Sequence, residues 1–478
     1  MVPYYGLQVP LLMDAFFAPR SVAIAGASRS GMKLGNVPID NLRRFSYAGR
    51  VVPLNPDAGE IMGLKAYASI EDVEGGVDLA VAVIPREQVP PFLESCGRAG
   101  VRNVIVTAAA FADADAEGAR LQRDVEDLAR RLSLRVMGPN SIGTIDTSSG
   151  LVTSIITLEP VPQGPISFVT QTGLFAASFA RWISSSQSHG AAKVACLGNK
   201  AGVDEIDMLT YLEGDPRTEV IALHTEGTSD GRAFVDAVSR ISLSKPVVVL
   251  NPGRTEAGRE AMRSHTGSMA GSHDVFRGAA SQAGAVQVES FSEMFDCARA
   301  LAYCPIPRGS GMGIVSITGA GCSLTADACQ SSGLVVPALG DEAARAARAG
   351  MPDWASFSNP ADIWSAIAME GNDGAYQKVL RAMASQDDIH MLIAVYCVAP
   401  QFEFDAAAAM SRVRDEFPDK PLLAVILGGT TEDSRRWFES LEGASIPTYD
   451  SVERAVAAAG AMARYSSWLR RKSEAGAS

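Results

Sequence analysis

The sequence predicts an α/β protein in which parallel sheets, covered by helices, form about three domains. Its 478 residues are too many for one hydrophobic core, and a composition of 47% hydrophobic and 20% charged residues is ordinary for a globular protein. Short runs rich in β-branched residues alternate with Ala- and Leu-rich stretches typical of helices. Because such nearly continuous apolar strands are usually buried on both faces, we expect parallel sheets between layers of helices.

The predicted strands fall into three sets, separated by two breaks. The first set comprises residues 21–26, 51–55, 78–84, 103–108 and 135–140. The second comprises residues 166–171, 193–199, 220–224 and 246–250, and the third 313–318, 391–398 and 422–427. Stretches rich in small residues or proline, at 147–150 and 304–311, mark the breaks. We therefore expect domains at residues 12–146, 147–304 and 305–470.

Charge, hydropathy and cysteine content narrow the functional classes. A formal net charge of −12 argues against nucleic-acid binding, which needs clustered Lys and Arg, but not against a small anion held by backbone amides. The longest apolar runs fall short of the roughly 20 residues that cross a bilayer, and the N-terminus carries Asp14 without the basic start of a signal peptide. The 7 cysteines form no CxxC pair, which argues against disulfides and a zinc site. We expect a cytoplasmic protein that binds neither nucleic acid nor membrane and has no metal ligands of its own.

The turn after the first predicted strand, residues 26–36, has the strand–glycine–helix pattern that aims backbone N–H groups at a phosphate. Its spacing, with four residues between Gly26 and Gly31, is not the G-x-G-x-x-G dinucleotide fingerprint. The second strand ends in Asn55 and Pro56 instead of the acid that would hold an NAD ribose. A nicotinamide-dependent oxidoreductase is therefore disfavoured.

Further predicted strands end in residues that could face a ligand. These ends are Ile84-Pro85, Gly138-Pro139-Asn140, Gln171-Thr172-Gly173 and Glu226-Gly227. In an open parallel sheet ligands sit at the carboxyl ends of strands, and a turn that opens a helix offers its amides to an anion. Taken alone, the first two ends fit tight turns between strand and helix equally well, and Glu226 fits a solvated acid.

His265 lies among small residues, in the segment Ser264-His265-Thr266-Gly267-Ser268, which leaves room for a charged group on its ring. The chain has only 5 histidines, so a reactive one is not hidden among many. An imidazole nitrogen is a good nucleophile toward an acyl phosphate, and a carboxylate on its other nitrogen fixes the tautomer. From this segment alone, an incidental histidine in a surface loop explains the pattern equally well.

Together these segments resemble a known family. The turns at 26–28, 54–56, 84–85 and 138–140 are similar to the CoA-binding domain of the succinyl-CoA synthetase superfamily. Over residues 12–465 the chain resembles the α subunit of the nucleoside-diphosphate-forming acyl-CoA synthetases, the group that contains ADP-forming acetyl-CoA synthetase. The segments 171–173, 198–204, 226–227 and 264–271 match motifs of that group. Three residues depart from its pattern: Gly202 replaces an acid, Asn251 replaces a lysine, and Cys322 alters a glycine-rich turn.

The resemblance implies a Rossmann-like CoA-binding domain followed by two flavodoxin-like domains of the succinyl-CoA synthetase type. It also implies that His265 is phosphorylated and that Glu226 orients its ring. The residues implied to bind CoA are Gly26, Ala27, Ser28, Lys33, Asn55, Pro56, Ile84, Pro85 and Asn140. Those implied to bind phosphate are Gln171, Thr172 and Gly173.

The resemblance further implies a partner chain. The sequence contains no Walker-type segment and no stretch that matches an ATP-grasp module. ATP or ADP and Mg²⁺ are therefore expected on a separate β subunit of the ATP-grasp type, in a heterotetramer. The implied reaction forms acyl-CoA from a small carboxylic acid, CoA and ATP, through a phosphohistidine and an acyl phosphate.

Two alternatives share the same fold. One is a transferase that moves an acyl or carbamoyl group through an acyl phosphate without ATP. The other is a CoA-binding protein with no activity, which would have no reason to keep both Glu226 and His265. The sequence does not reveal which acid is used or which direction the reaction takes.

Overall fold

A computed structural model describes residues 13–30, 33–173, 183, 190–266, 272–349 and 357–477, and for 263–266 and 476–477 it describes the backbone alone. The described residues form two compact units that divide between residues 287 and 288. The described part of the first unit contains two large sheets and a two-stranded one, and that of the second unit contains one sheet. The predicted domain boundaries at 146 and 304 stay predictions.

The strands of the first two sheets begin at residue 21. They are β1 (Ser21–Ala25), β2 (Arg50–Leu54), β3 (Glu60–Ile61), β4 (Leu64–Lys65), β5 (Leu79–Ala82), β6 (Asn103–Val106), β7 (Arg135–Met137), β8 (Gly143–Asp146), β9 (Leu151–Val152), β10 (Gln163–Thr170), β11 (Ala191–Cys196), β12 (Val220–His224), β13 (Val247–Leu250) and β14 (Val286–Val288), where β3 and β4 form a separate hairpin. The helices described with them are α1 (Val37–Arg44), α2 (Val89–Arg98), α3 (Ala116–Leu132), α4 (Glu205–Glu213), α5 (Gly231–Ile241), α6 (Glu256–Thr266) and α7 (His273–Ala283).

The second unit has its own strands and helices. Its strands are β15 (Met312–Ser316), β16 (Ala361–Asp362), β17 (Met391–Cys397), β18 (Leu422–Leu427) and β19 (Thr448–Tyr449). Its helices are α8 (Phe291–Tyr303), α9 (Gly319–Ser331), α10 (Asp341–Arg348), α11 (Trp364–Ala384), α12 (Ala406–Glu416), α13 (Thr431–Gly443) and α14 (Val452–Ala477). Each strand that the sequence predicts is present, and the additional strands are short or lie at sheet edges.

The first sheet has the order β2-β1-β5-β6-β7, and all of its strand pairs are parallel. The chain passes from β1 to β2 on one side of β1 and continues with β5 on its other side. The turns after β1 and β5 therefore flank a topological switch point. Ligands of open parallel sheets bind at such points. The residues of β1, β5 and β6 are fully buried, as their apolar sequences predict.

The second sheet differs from the prediction at one edge. Its order is β14-β13-β12-β10-β11-β8-β9, and β10 to β13 pair in parallel, but β8 runs antiparallel to β11 and β9 antiparallel to β8. After β7, the last strand of the first sheet, the chain passes through residues 138–142 directly into β8 of the second sheet. The turn at 138–140 therefore joins two sheets and does not lead into a helix.

The first two sheets share a continuous hydrophobic core. Side chains of both sheets, for example Ile24 and Leu223, belong to one buried cluster, and Phe17 stacks on Tyr211 with ring centroids 5.2 Å apart.

In the second unit all strand pairs of the order β16-β15-β17-β18-β19 are parallel. Among the described helices of both units, none combines the length and apolar composition needed to cross a bilayer.

Buried charges tie three helices of the second unit together. The Asp296 carboxylate of α8 accepts hydrogen bonds from Arg454 Nε and Nη2 of α14, both at 2.8 Å. It also lies 3.2 Å from Arg299 Nη2, and Arg299 in turn pairs with Glu442 of α13. Asp296, Arg299 and Glu442 are almost inaccessible to solvent. Removing one member of such a buried network leaves a buried charge without its counter-ion, which is strongly destabilising.

We therefore expect Asp296→Ala to lower the free energy of unfolding of the second unit by about 3 kcal/mol. Thermal unfolding of the whole chain, followed by near-ultraviolet circular dichroism, measures the effect. The control is Glu432→Ala, which removes an exposed ion pair with Arg435 on α13 and should change little. Equal shifts for the two variants would contradict the assignment of this network.

Candidate active site

The turn after β1 requires a glycine. Gly26 has a φ of +91°, and a Cβ at this position would lie 1.9 Å from the Val83 carbonyl oxygen. The loop that follows is held by the Asn36 side chain, which accepts a hydrogen bond from the Ser28 N–H and donates to the Ser28 and Ser30 carbonyls. These contacts fix the backbone of the glycine-rich turn in one shape.

Asn55 ties the turn after β2 to the turn after β1. Its Nδ2 donates to the Ala27 carbonyl at 2.7 Å, and its Oδ1 accepts from the Asp57 N–H at 2.8 Å. Ile84 and Pro85 follow β5 on the other side of β1. Most of the residues expected to bind CoA are therefore brought to one end of the sheet, around the switch point.

The other two expected CoA residues are Lys33 and Asn140. Lys33 is exposed and lies in the turn after β1, where its N–H donates to the Ser30 carbonyl at 3.2 Å, and α1 begins at Val37. Asn140 follows β7, which is separated from β5 by β6. Its N–H donates to the Ala108 carbonyl at 2.8 Å, and it lies where the chain enters the second sheet.

The turns after β7 and β11 meet closely. A Cβ on Gly198 would lie 2.0 Å from the Pro139 carbonyl oxygen, so only glycine allows this approach. The Asn199 N–H donates to that carbonyl at 2.8 Å, and Asn199 Nδ2 donates to Asp113 Oδ1 at 2.8 Å. The carboxyl ends of the first and second sheets are thereby joined by direct hydrogen bonds.

Glu226 lies close to the turn after β10. The strands β10 and β12 are parallel neighbours, so the turns that follow them lie side by side. The Gln171 side-chain oxygen accepts a hydrogen bond from the Glu226 N–H at 3.0 Å. Gly173 lies against Ile142, since a Cβ on this glycine would lie 2.6 Å from Ile142 Cγ1. Gln171 was expected to bind phosphate, and in the structure its side chain holds the Glu226 backbone.

The Glu226 side chain is half-buried, and one of its carboxylate oxygens lacks a hydrogen-bond donor among the described residues. Its Oε2 is buried and makes no hydrogen bond to any residue that the structure describes. A buried carboxylate oxygen without a donor is costly, which is typical of a group that meets its partner during function. A cavity of about 250 Å³ opens beside it. The cavity is lined by Glu226, Phe234, Asn251, Met262, His273 and Phe276, among others.

The turn at Glu226 is held by residues that sequence reasoning did not single out for this role. Asn251 Nδ2 donates to the Thr225 carbonyl at 2.8 Å, and Lys200 Nζ donates to the Gly227 carbonyl at 2.7 Å. Asn251 Oδ1 also lies 3.1 Å from His273 Nδ1. The only sequence signal for Lys200 was its place in the family motif at 198–204.

His224, the last residue of β12, is buried. Burial, with a contribution from the charge of Lys200, lowers the pKa of its imidazole to about 4, so the ring is neutral at pH 7. The strand ends at His224, so His224 and Glu226 do not share a strand face.

The backbone of His265 lies in the last turn of α6, which continues to Thr266. The sequence instead suggested a loop at this position. The side chain of His265 and residues 267–271 lie outside the described residues, so the distance from His265 to Glu226 stays a prediction.

In the second unit, the side chains of Thr318 and Asn359 have structural roles. The Thr318 hydroxyl caps α9 by accepting from the Gly321 N–H at 3.0 Å. Asn359 Nδ2 donates to the Met312 carbonyl at 2.7 Å, and its Oδ1 accepts from the Ile314 N–H at 2.9 Å. Burial raises the pKa of the Cys322 thiol to about 12, so it stays protonated at neutral pH.

Comparisons with known proteins match all three parts of the chain. A model of a CoA binding domain matches residues 20–147, one of a succinyl-CoA ligase-like flavodoxin domain matches 163–301, and one of a ligase-CoA domain matches 314–473. The chain is 32% identical over 456 residues to the acetate–CoA ligase (ADP-forming) II subunit alpha of Pyrococcus furiosus, with 94% of this chain and 97% of the relative covered. The chain belongs to the ADP-forming acyl-CoA ligases. It is an α-type chain of this family and an acid–thiol ligase.

One further relative and one solved structure are also similar to this ligase chain. It is 33% identical to acetate–CoA ligase (ADP-forming) II of Archaeoglobus fulgidus over 464 residues, which cover 96% of this chain and 68% of that longer relative. A solved structure from Ca. Korarchaeum cryptofilum, described as a dinucleotide forming acetyl-coenzyme A synthetase 1 in complex with phosphate and ADP, matches with a TM-score of 0.87 and 29% identity. That match covers 96% of this chain and 98% of the other. The predicted order of a CoA-binding domain and two ligase domains is confirmed.

We expect Asn55→Ala to raise the KM for CoA about tenfold, because the turns after β1 and β2 lose the side chain that joins them. Steady-state kinetics of acyl-CoA formation with the partner subunit present measure this. The control is Asn103→Ala, which removes an asparagine at the opposite end of the same sheet and should leave the KM unchanged. An unchanged KM in Asn55→Ala would contradict the location of the CoA site.

Proposed function

We propose that this chain is the α subunit of an ADP-forming acid–CoA ligase that works through a phosphohistidine at His265. The observation that carries the proposal is the Glu226 carboxylate, whose buried Oε2 has no donor among the described residues, at the carboxyl end of β12. A ring N–H of His265 is the donor that would complete this carboxylate. The contact would fix the tautomer and stabilise the positive charge that forms when the other ring nitrogen is phosphorylated.

The proposed reaction has three balanced steps. The γ-phosphoryl group of ATP passes to a ring nitrogen of His265, and ADP leaves. A carboxylate oxygen of the acid then attacks this phosphorus, which gives an acyl phosphate and frees the imidazole. Finally the CoA thiol loses its proton and attacks the acyl carbon, which forms acyl-CoA and expels inorganic phosphate.

The turn at 171–173 supports the phosphoryl step. Thr172 and Gly173 follow β10, and the turn lies beside the Glu226 turn through the hydrogen bond from the Glu226 N–H to Gln171. Backbone amides and a hydroxyl at such a strand end suit an anion. We propose that Gln171, Thr172 and Gly173 face the phosphoryl group while Glu226 faces the opposite side of the ring.

The CoA site proposed for the first sheet is the group of turns around its switch point. Its residues are Gly26, Ala27, Ser28, Lys33, Asn55, Pro56, Ile84 and Pro85, and Asn140 follows β7. The join between the turns at 139 and 199 brings this end of the first sheet toward the Glu226 turn. That arrangement suits a reaction in which the CoA thiol must reach an acyl phosphate made beside His265.

We propose that a separate β subunit of the ATP-grasp type holds ATP or ADP and Mg²⁺. This chain covers 97% of the Pyrococcus subunit alpha but 68% of the longer Archaeoglobus relative. The remaining part of the longer relative is where a fused partner would lie. A heterotetramer and a cytoplasmic location stay predictions from the sequence.

The test is to incubate the chain with its partner subunit, Mg²⁺ and [γ-³²P]ATP. We expect a protein label that is stable in base and labile in acid, and we expect none in His265→Ala. His390→Asn, a change at a histidine of the second unit, serves as the control and should keep the label. An unlabelled wild type, or a labelled His265→Ala, would contradict the proposal. Acyl transfer that proceeds without ATP would favour the transferase alternative instead.

A second prediction concerns Glu226. In Glu226→Gln we expect labelling of His265 to slow by on the order of 10² to 10³, because the amide keeps the size of the side chain but loses the charge that stabilises the phosphorylated ring. Quenched-flow measurement of label against time provides the rate. Glu219→Gln, a change at an exposed acid before the opposite end of β12, should label at the wild-type rate. Equal rates for wild type and Glu226→Gln would rule out this role.

A further inference from the structure

Lys200 places a partly buried positive charge next to the Glu226 turn. Its Nζ donates to the Gly227 carbonyl at 2.7 Å and lies 2.9 Å from Glu205 Oε2, at the start of α4. The Lys200 side chain is 15% exposed and that of Glu205 only 1%. A charged donor makes a shorter and stronger hydrogen bond than a neutral one, so this contact fixes the Gly227 carbonyl firmly.

Stability alone does not explain the ion pair between Lys200 and Glu205. Taking an ammonium and a carboxylate out of water costs several kcal/mol for each ion, and their attraction often does no more than offset that cost. Glu205 Oε1 is buried and makes no hydrogen bond within the described part of the chain, which adds to the cost. A buried pair of this kind is better explained by a requirement for geometry at a nearby site.

The backbone at Lys200 is also specialised. Its φ is +58°, a left-handed conformation that is uncommon for a residue with a side chain. The segment is held in this shape by hydrogen bonds from the Asn199 N–H to the Pro139 carbonyl and from the Ala201 N–H to the Gly138 carbonyl. Lys200 therefore projects from the same turn that joins the first sheet to the second.

The remaining contacts show how Lys200 reaches Glu226. The Glu226 N–H is fixed by Gln171, and the Gly227 N–H by the Thr225 hydroxyl oxygen at 3.3 Å. The Gly227 carbonyl accepts from Lys200 and from the Thr225 hydroxyl. Glu226 thus lies in a turn whose polar backbone groups are held on both sides, and Lys200 supplies the only charged donor among the described contacts of this turn.

We propose that Lys200, held by Glu205, is a positioning residue that fixes the Glu226 carboxylate in the orientation required to meet the imidazole of His265. The inference rests on the proposed function, because it assigns Lys200 to the same phosphoryl-transfer site. It adds that the turn joining the two sheets also sets the geometry of that site. Lys200 thereby connects the sheet with the proposed CoA site to the Glu226 carboxylate.

Lys200→Met tests this proposal, because it keeps the length of the side chain and removes the charged donor. In the full chain with its partner subunit, Mg²⁺ and [γ-³²P]ATP, we expect His265 to be labelled on the order of 10² more slowly than in wild type, while the KM for CoA stays unchanged. Lys200→Arg keeps a cation and should recover part of the rate. It also keeps the proposal testable if the methionine variant does not fold.

Lys245→Met is the matched control. Lys245 is another partly buried lysine of the same sheet, and its Nζ donates to the Leu212 and Asp215 carbonyls at 2.8 and 2.6 Å, before the amino end of β13. Its removal should lower the unfolding temperature without slowing the label. A role of Lys200 in stability alone would make the two variants behave alike.

The double variant Lys200→Met/Glu226→Gln separates positioning from a general effect. If Lys200 acts through Glu226, the double variant should label at the rate of Glu226→Gln alone. This inference would be overturned if the slowing factors of the two single variants multiplied in the double variant, or if Lys200→Met were labelled as fast as wild type. Either result would leave the proposed phosphohistidine unaffected. A wild-type protein that takes up no label would contradict the proposed function and this inference with it.

Discussion

The close contact between the turns after β7 and β11 is the constraint on which the rest of the site depends. Gly198 approaches the Pro139 carbonyl to a distance that no side chain allows, and the Asn199 N–H bonds to the same oxygen. This contact joins the carboxyl ends of two sheets, one with the turns expected to bind CoA and the other with Glu226. It also sets the left-handed backbone at Lys200, whose ammonium reaches the Gly227 carbonyl.

An acidic chain can bind anionic ligands because the groups at the binding site, and not the net charge of the chain, decide the interaction there. The net charge of −12 is a sum over the whole chain, whereas the ends of β1 and β10 offer backbone amides and short polar side chains. Lys200 adds one positive charge beside the Glu226 turn, and burial, with a contribution from this charge, lowers the pKa of the neighbouring His224 so that its ring stays neutral. The site therefore combines neutral donors for a phosphoryl group with one carboxylate for the imidazole that would carry it.

The sequence was a good guide to the parallel strands, since buried β-branched runs between helices have few other interpretations. It was a poor guide where tertiary contacts decide. β8 lies antiparallel in the second sheet although only five residues, 138–142, separate it from the first, and a pattern of apolar residues does not reveal such pairing. The role of Lys200 depends on a carbonyl 27 residues away along the chain, and the helix that reaches His265 runs through a segment whose small residues suggested a loop. Motif resemblance located Glu226, but its open Oε2 became visible only in three dimensions.

The central claim is that a phosphoryl group on His265 is the intermediate that makes acyl-CoA. A pulse–chase experiment tests it most directly: the complex is phosphorylated with [γ-³²P]ATP, freed of nucleotide, and then mixed with a carboxylic acid that supports CoA consumption, together with CoA. We expect the label to leave the protein as inorganic phosphate and one acyl-CoA to form for each phosphoryl group lost. A label that stays on the protein while acyl-CoA forms, or that leaves without acyl-CoA, would contradict it.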